Sequence, residues 1–181
     1  MSYKEERINE LIRELRLSKE NDGFDNKQLI EVAHGILSNV DVMMYKKEWY
    51  TSHQMRCIRE GLEHNLDVSK YLSKEFDAFQ MRQIYEGLMR GLDVSIYASP
   101  KFESSQMMII RIGLELGLDA SIYAKASLTL IEMTYIGNVL YYGLDPSPLL
   151  DDTDGYLCDI YEDIFTSAGI SKPRNIFYKY S

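Results

Sequence analysis

His53 and Cys57 stand four residues apart, one helical turn, and would present an imidazole and a thiol on one helix face as two of the ligands a zinc ion takes. A zinc site needs three or four. No third ligand is placed by spacing and no Cys-x-x-Cys occurs, so the pair reads as an ordinary surface and boundary feature. Cys57 with His34 or His64 would make a thiol nucleophile pair, but nothing in the sequence orients one on the other. Asp41, Asp67, Asp93, Asp119 and Asp145 follow one another at intervals of 26 residues. That spacing would set one carboxylate on each of several equivalent units rather than two on one reacting atom. The glycines lack the strand-to-helix setting and Gly-Lys-Ser ending of a phosphate loop. The sequence therefore predicts no catalytic residue, no cofactor and no metal site, and the chain is read as a non-enzyme.

Arg56 and Arg82, like Arg59 and Arg111, occupy equivalent positions and would form ladders able to grip phosphates. Each has a glutamate four residues on, at Glu60, Glu86, Glu63 and Glu115, where opposite charges pair along a helix. With 20 basic against 28 acidic residues and a net charge of −8, direct nucleic-acid binding is disfavoured. The opposite pattern appears near the end, where Asp151, Asp152, Asp154, Asp159, Glu162 and Asp163 have no basic residue among them. Carboxylates at a helix start complement its dipole, which accounts for the first of these. The excess suits occupation of a basic groove on another protein.

What positions all these residues is a tandem repeat. Around the aspartates, Gln28, Gln54, Gln80, Gln106 and Glu132 keep the 26-residue step, as do Leu29, Met55, Met81, Met107 and Met133, and Val32, Ile58, Ile84, Ile110 and Ile136. Tyr45, Tyr71, Tyr97 and Tyr123 follow, with Leu149 in the fifth copy. Each copy predicts one helix, over about 26–38, 52–64, 78–90, 104–116 and 130–142. Asp25, Thr51, Asp77 and Thr129 start four of them as capping boxes, Glu103 is a weaker cap, and Phe24, Tyr50, Phe76, Phe102 and Leu128 suit a hydrophobic staple. Asn39, Asn65, Gly91, Gly117 and Gly143 tolerate the left-handed residue that closes a helix, and each following aspartate suits the cap of a short turn.

Gly35, Gly61, Gly87 and Gly113 recur inside the helices, each costing about 1 kcal/mol relative to alanine, and are assigned to close packing between successive repeats. In the fifth copy Val139 replaces them. Positions that are polar in the second and third copies turn apolar in the fourth and fifth. Arg56, Cys57, Glu60 and His64 give way to Met108, Ile109, Ile112 and Leu116, then to Thr134, Tyr135, Asn138 and Tyr142. Such a face needs a cover. The C-terminal helix and tail, with Ile176, Phe177, Tyr178 and Tyr180, are near in sequence and apolar enough to supply it. The functional alternative makes Met108, Ile109, Ile112, Leu116, Tyr135 and Tyr142 an interface with a protein partner or a second copy in a homodimer.

The stretch from Gln80 to Ala98, Gln-Met-x-x-Ile-x-x-Gly-Leu-x-x-Gly-Leu-Asp-Val-Ser-x-Tyr-Ala, resembles tandem repeats of uncharacterised bacterial proteins often carried on mobile elements. The resemblance covers residues 24–150 and brings no catalytic residues with it. The expected fold is all-α: a right-handed α-solenoid of five 26-residue helix-plus-turn repeats in one domain, with N- and C-terminal capping helices in residues 1–23 and 151–181. The expected function is protein–protein recognition through the repeat surface. The alternative, suggested by the mobile-element association and the acidic residues Asp151, Asp152, Asp159, Glu162 and Asp163, is an inhibitor of a nucleic-acid-binding defence protein. No apolar run approaches the roughly 20 residues of a membrane span. The acidic start Glu5-Glu6 and only two cysteines, Cys57 and Cys158, suit a cytoplasmic protein with reduced thiols.

Overall fold

Alternation of one 12-residue helix with one short turn follows from where the chain places its capping side chains. The structure, a computed structural model, describes residues 3–21, 23–151, 155–171 and 173–179. Among them every regular element is helical: α1 (Tyr3–Leu17), α2 (Asn26–Leu37), α3 (Ser52–Glu63), α4 (Ala78–Met89), α5 (Ser104–Glu115), α6 (Leu130–Tyr141), α7 (Ser147–Leu150) and α8 (Leu157–Ser167). Single 3-10 turns at Val42–Met44, Val68–Lys70, Val94–Ile96 and Ala120–Ile122 follow α2 to α5. No helix among the described residues is long and apolar enough to cross a membrane. The chain forms two compact units, Met1–Met89 and Arg90–Ser181.

The ends of α2 to α6 lie within a residue of those the caps predict. Asp25, Thr51, Asp77 and Thr129 accept the backbone N–H groups of Gln28, Gln54, Gln80 and Glu132, and each of those side chains accepts the N–H of its cap residue in return. At Glu103 the return bond, from its N–H to Gln106 Oε1, is 2.8 Å. At the other end Asn39 and Asn65 take φ of 55° and 56°, and Gly91, Gly117 and Gly143 are also left-handed. Asp41, Asp67, Asp93 and Asp119 then cap the 3-10 turns by accepting the N–H two residues on, and Asp145 does the same before α7. These carboxylates are structural, as their spacing indicates.

The capping glutamines have a second role. Gln28 Nε2 donates to the Tyr50 carbonyl, Gln54 Nε2 to that of Phe76, and Gln106 Nε2 to that of Leu128, each at 2.7 Å. One side chain thus caps its own helix and ties down the residue preceding the next cap. The side chain of Glu132 has no N–H to donate, and the fifth copy ends this series.

The helical glycines correct an expectation. Their close approach lies inside the repeat, not between repeats: a Cβ on Gly35, Gly61 or Gly113 would come within 1.8, 2.0 or 1.7 Å of the hydroxyl of Tyr45, Tyr71 or Tyr123, ten residues on. The tyrosine lies back across its own helix, fully buried, and the missing Cβ makes room for its oxygen. Tyr45 and Tyr71 donate to the carbonyls of Glu31 and Cys57. The fifth copy loses both members together, with Val139 for the glycine and Leu149 for the tyrosine.

Leu29, Val32, Met55, Ile58, Met81 and Ile84 form the apolar centre of the first unit, and α1 packs on α2 with Leu11 buried and Ile8, Ile12 and Leu15 half-buried. In the second unit Met107, Ile110, Met133 and Ile136 are buried, and α6 meets α5, α7, α8 and the turn Ile176–Lys179. Gly169, with φ of 74°, closes α8.

Candidate functional site

The six apolar residues marked as one outer face do not form one. On α5, Ile109 and Ile112 are buried, the latter completely, and Met108 is half-buried, while Leu116, just past the end of the helix, is exposed at 38%. The polar residues at the same rows of α3 were misleading, because Cys57 is buried and the Glu60 side chain is only 18% exposed. Those rows face a neighbouring helix, where either an ion pair or an apolar contact is accommodated.

On α6 the C-terminal segment supplies the cover. Tyr135 stacks on Tyr161 of α8, with ring centroids 4.1 Å apart and planes 18° from parallel, and Tyr142 meets Phe165 edge-on at 5.2 Å. The Tyr135 hydroxyl lies 3.5 Å from Cys158 Sγ. That hydrogen bond, followed by burial, pushes the phenol up to about 12. Asn138, buried, accepts the Ile176 N–H at 3.0 Å and donates to the Tyr161 hydroxyl. Tyr142 Oη accepts the Arg174 N–H at 2.8 Å. Phe177 lies against Gly137. The side chain of Tyr178, and Tyr180 altogether, lie outside the described residues.

The arginine ladders are neutralised from two directions. Glu60 accepts from Arg56 Nε of its own helix at 2.8 Å and from Arg82 Nη1 of α4 at 2.9 Å, while Arg82 Nε also reaches Glu86. Arg59, buried, donates to Glu63 on α3 at 2.7 Å and to Glu31 on α2 at 3.0 Å. In the second unit Glu115 pairs with Arg111 and with Arg90. The i,i+4 pairs are as the sequence indicates; the pairs between helices are additional. With a carboxylate against each guanidinium, this face offers a phosphate chain little net attraction.

A groove of about 810 Å³ runs between α3 and α4, lined by His53, Arg56, Cys57, Glu60, Phe79 and Arg82. His53 is at its exposed edge, whereas the Cys57 thiol is buried and donates to the Ala78 carbonyl. Burial pushes that thiol up to about 11, which leaves it protonated and a poor nucleophile at neutral pH. Among the described residues no three His, Cys, Asp or Glu side chains are grouped to hold a metal ion. Phe79, 75% exposed at the groove mouth, was not singled out by sequence reasoning, although its row reads Lys27, His53, Phe79, Ser105 and Ile131 and so changes in every copy.

Asp151 is exposed, and Asp159, Glu162 and Asp163 project from α8 into solvent; Asp152 and Asp154 lie outside the described residues. Family models, curated proteins and solved structures yield no match to this chain.

Proposed function

We propose that the chain is a non-enzymatic protein-recognition module of the bacterial mobile-element repeat type, acting in the cytoplasm. Its residues 24–150 are read as a right-handed α-solenoid of five repeats, closed at each end by the terminal segments. The observation that carries the reading is a division of labour among repeat rows. Those constant in type, such as Gln28–Gln54–Gln106 and Met55–Met81–Met107, are buried and satisfied internally. The row Lys27–His53–Phe79–Ser105–Ile131 differs in every copy, and four of its five residues are exposed. A fixed frame with a varied surface is what recognition by repeats requires.

A photo-crosslinking side chain placed at position 53 in host cells tests this directly. The expected product is a discrete protein adduct that disappears on Phe79→Glu or Ile131→Glu while the helical content stays unchanged. Adducts that are absent, or indifferent to both changes, defeat the reading. The alternative, inhibition of a nucleic-acid-binding protein, draws on the outward carboxylates Asp151, Asp159, Glu162 and Asp163, which lack a basic partner among the described residues. It predicts adducts from α8 that are lost in high salt.

A further inference from the structure

The row of α6 that contains Gly137 carries Ala33, Arg59, Tyr85 and Arg111 in the other copies. Arg59 lies close enough to act electrostatically on the Tyr45 hydroxyl, and Tyr85 acts likewise on that of Tyr71, so in these two copies the row lies beside the tyrosine of the preceding copy. On α6 the row has no side chain, and the ring of Phe177, 3% exposed, occupies the space. A Cβ at Gly137 would come within 2.6 Å of the Phe177 ring and 3.7 Å of the Tyr123 ring. Behind the slot the Tyr123 hydroxyl is buried with no hydrogen-bond partner. Along its rim Asn138 and Tyr142 accept two backbone N–H groups of the tail, from Ile176 and Arg174.

We propose that this seat on α6 is a peptide-binding site, held shut in this structure by the chain's own tail, and that its partner is a protein segment that presents an aromatic anchor at the start of a single 3-10 turn, as Phe177 is presented here. The bound tail displays the recognition chemistry: one ring enters the slot, and N–H groups one and three residues before it meet Asn138 and Tyr142. Between the two N–H anchors Asn175 caps the turn by accepting the Phe177 N–H at 3.0 Å, so a turn-capping side chain is expected there, and a proline at either N–H position is excluded. The inference deepens the protein-recognition reading by naming one site and its ligand class. Its test does not depend on the varied row around Phe79.

The experiment uses the full chain carrying Phe177→Ala, which vacates the slot, and a fluorescent peptide with the sequence of residues 173–181. Saturable 1:1 binding is expected, about tenfold or more weaker to the native chain, whose tethered tail competes at high effective concentration. The same peptide with alanine for phenylalanine should not bind, nor should any peptide bind Phe177→Ala/Gly137→Leu. No binding to a Phe177→Ala chain that still melts cooperatively overturns the proposal, as does tail exchange into dimers without peptide uptake. Should Phe177→Ala fail to fold, tryptic cleavage after Arg174 is compared between the native chain and Gly137→Leu. Filling the slot should expel the tail and speed cleavage, and an unchanged rate overturns the site. Loss of the Phe79-dependent adducts with peptide binding intact would defeat only the broader reading.

Discussion

α3 and α6 have the same length, the same threonine cap and the same type of closing turn, yet their surroundings differ. α3 has charged partners on neighbouring helices, Glu31 on one side and Arg82 on the other. α6 has lost every such charge and meets instead a stacked tyrosine, an amide and an inserted phenylalanine from the end of the chain. α3 can use paired charges because α2 and α4 return the complementary groups. The last copy has no successor, and a charge there would be left unmatched, so aromatic and amide groups take over.

The comparison breaks most visibly at Arg59. Arg59→Met leaves Glu31 and Glu63 facing each other without a cation and should destabilise by about 4 kcal/mol at pH 7, as removal of one partner from a buried pair does. Burial alone would push Glu63 up, but hydrogen bonds from Ser38 and Arg59 outweigh it and hold this carboxyl below the usual range. In the parent that contribution is present above about pH 4.3 and is lost as pH falls through the depressed folded value. In the variant Glu63 loses the Arg59 hydrogen bond and charge that lower it, so the deficit should shrink between pH 7 and 4. Urea unfolding showing the same deficit at both pH values would remove Arg59 from this role.

Next in size is the glycine–tyrosine contact. Gly61→Ala improves helix propensity by about 1 kcal/mol yet should destabilise by about 3 kcal/mol, because the new methyl displaces the Tyr71 hydroxyl. In a Tyr71→Phe background the same substitution should cost clearly less, the remainder coming from Val68 Cγ1, which would lie 2.8 Å from the new Cβ. Additive effects in this double-mutant cycle would show that glycine and hydroxyl are not coupled.

Gln54→Glu imposes the fifth copy's residue on the second. The carboxylate keeps the cap but turns an acceptor toward the Phe76 carbonyl, for an expected loss of about 2 kcal/mol at pH 7. A melting temperature equal to the parent's would deny the tie its energetic role. Smallest is Asp77→Ala, expected to cost about 1 kcal/mol, the usual figure for a lost cap; an unchanged denaturation midpoint would show that another group caps α4.

Much of this frame was legible because it is local. A cap, its partner three residues later and a left-handed closing residue are all within one helix, so the five boundaries could be read directly. The glycines were seen but misassigned, since a bare Cβ position does not say which neighbour needs the space. The paired change to Val139 and Leu149 was the signal that joined them. The polar residues Cys57 and Glu60 misled for another reason: polarity marks a residue that has a partner as readily as one that meets water. The tail's seat was legible only in outline, because Gly137 gains its meaning from Phe177, forty residues away.

The double duty of the capping glutamine bears on how such a chain can change in length. Where Gln28, Gln54 and Gln106 make the tie, the acceptor is a main-chain carbonyl just ahead of the following cap, so the bond is indifferent to which side chain stands there. A duplicated block of 26 residues would bring its own donor and meet an equivalent acceptor, so this bond needs no second change to match. Glu132 fixes the point beyond which that freedom stops. For this tie, insertion of whole blocks upstream of α6 keeps donor and acceptor in step, whereas the ion pairs between neighbouring helices, such as Arg59 with Glu31, would still have to be matched.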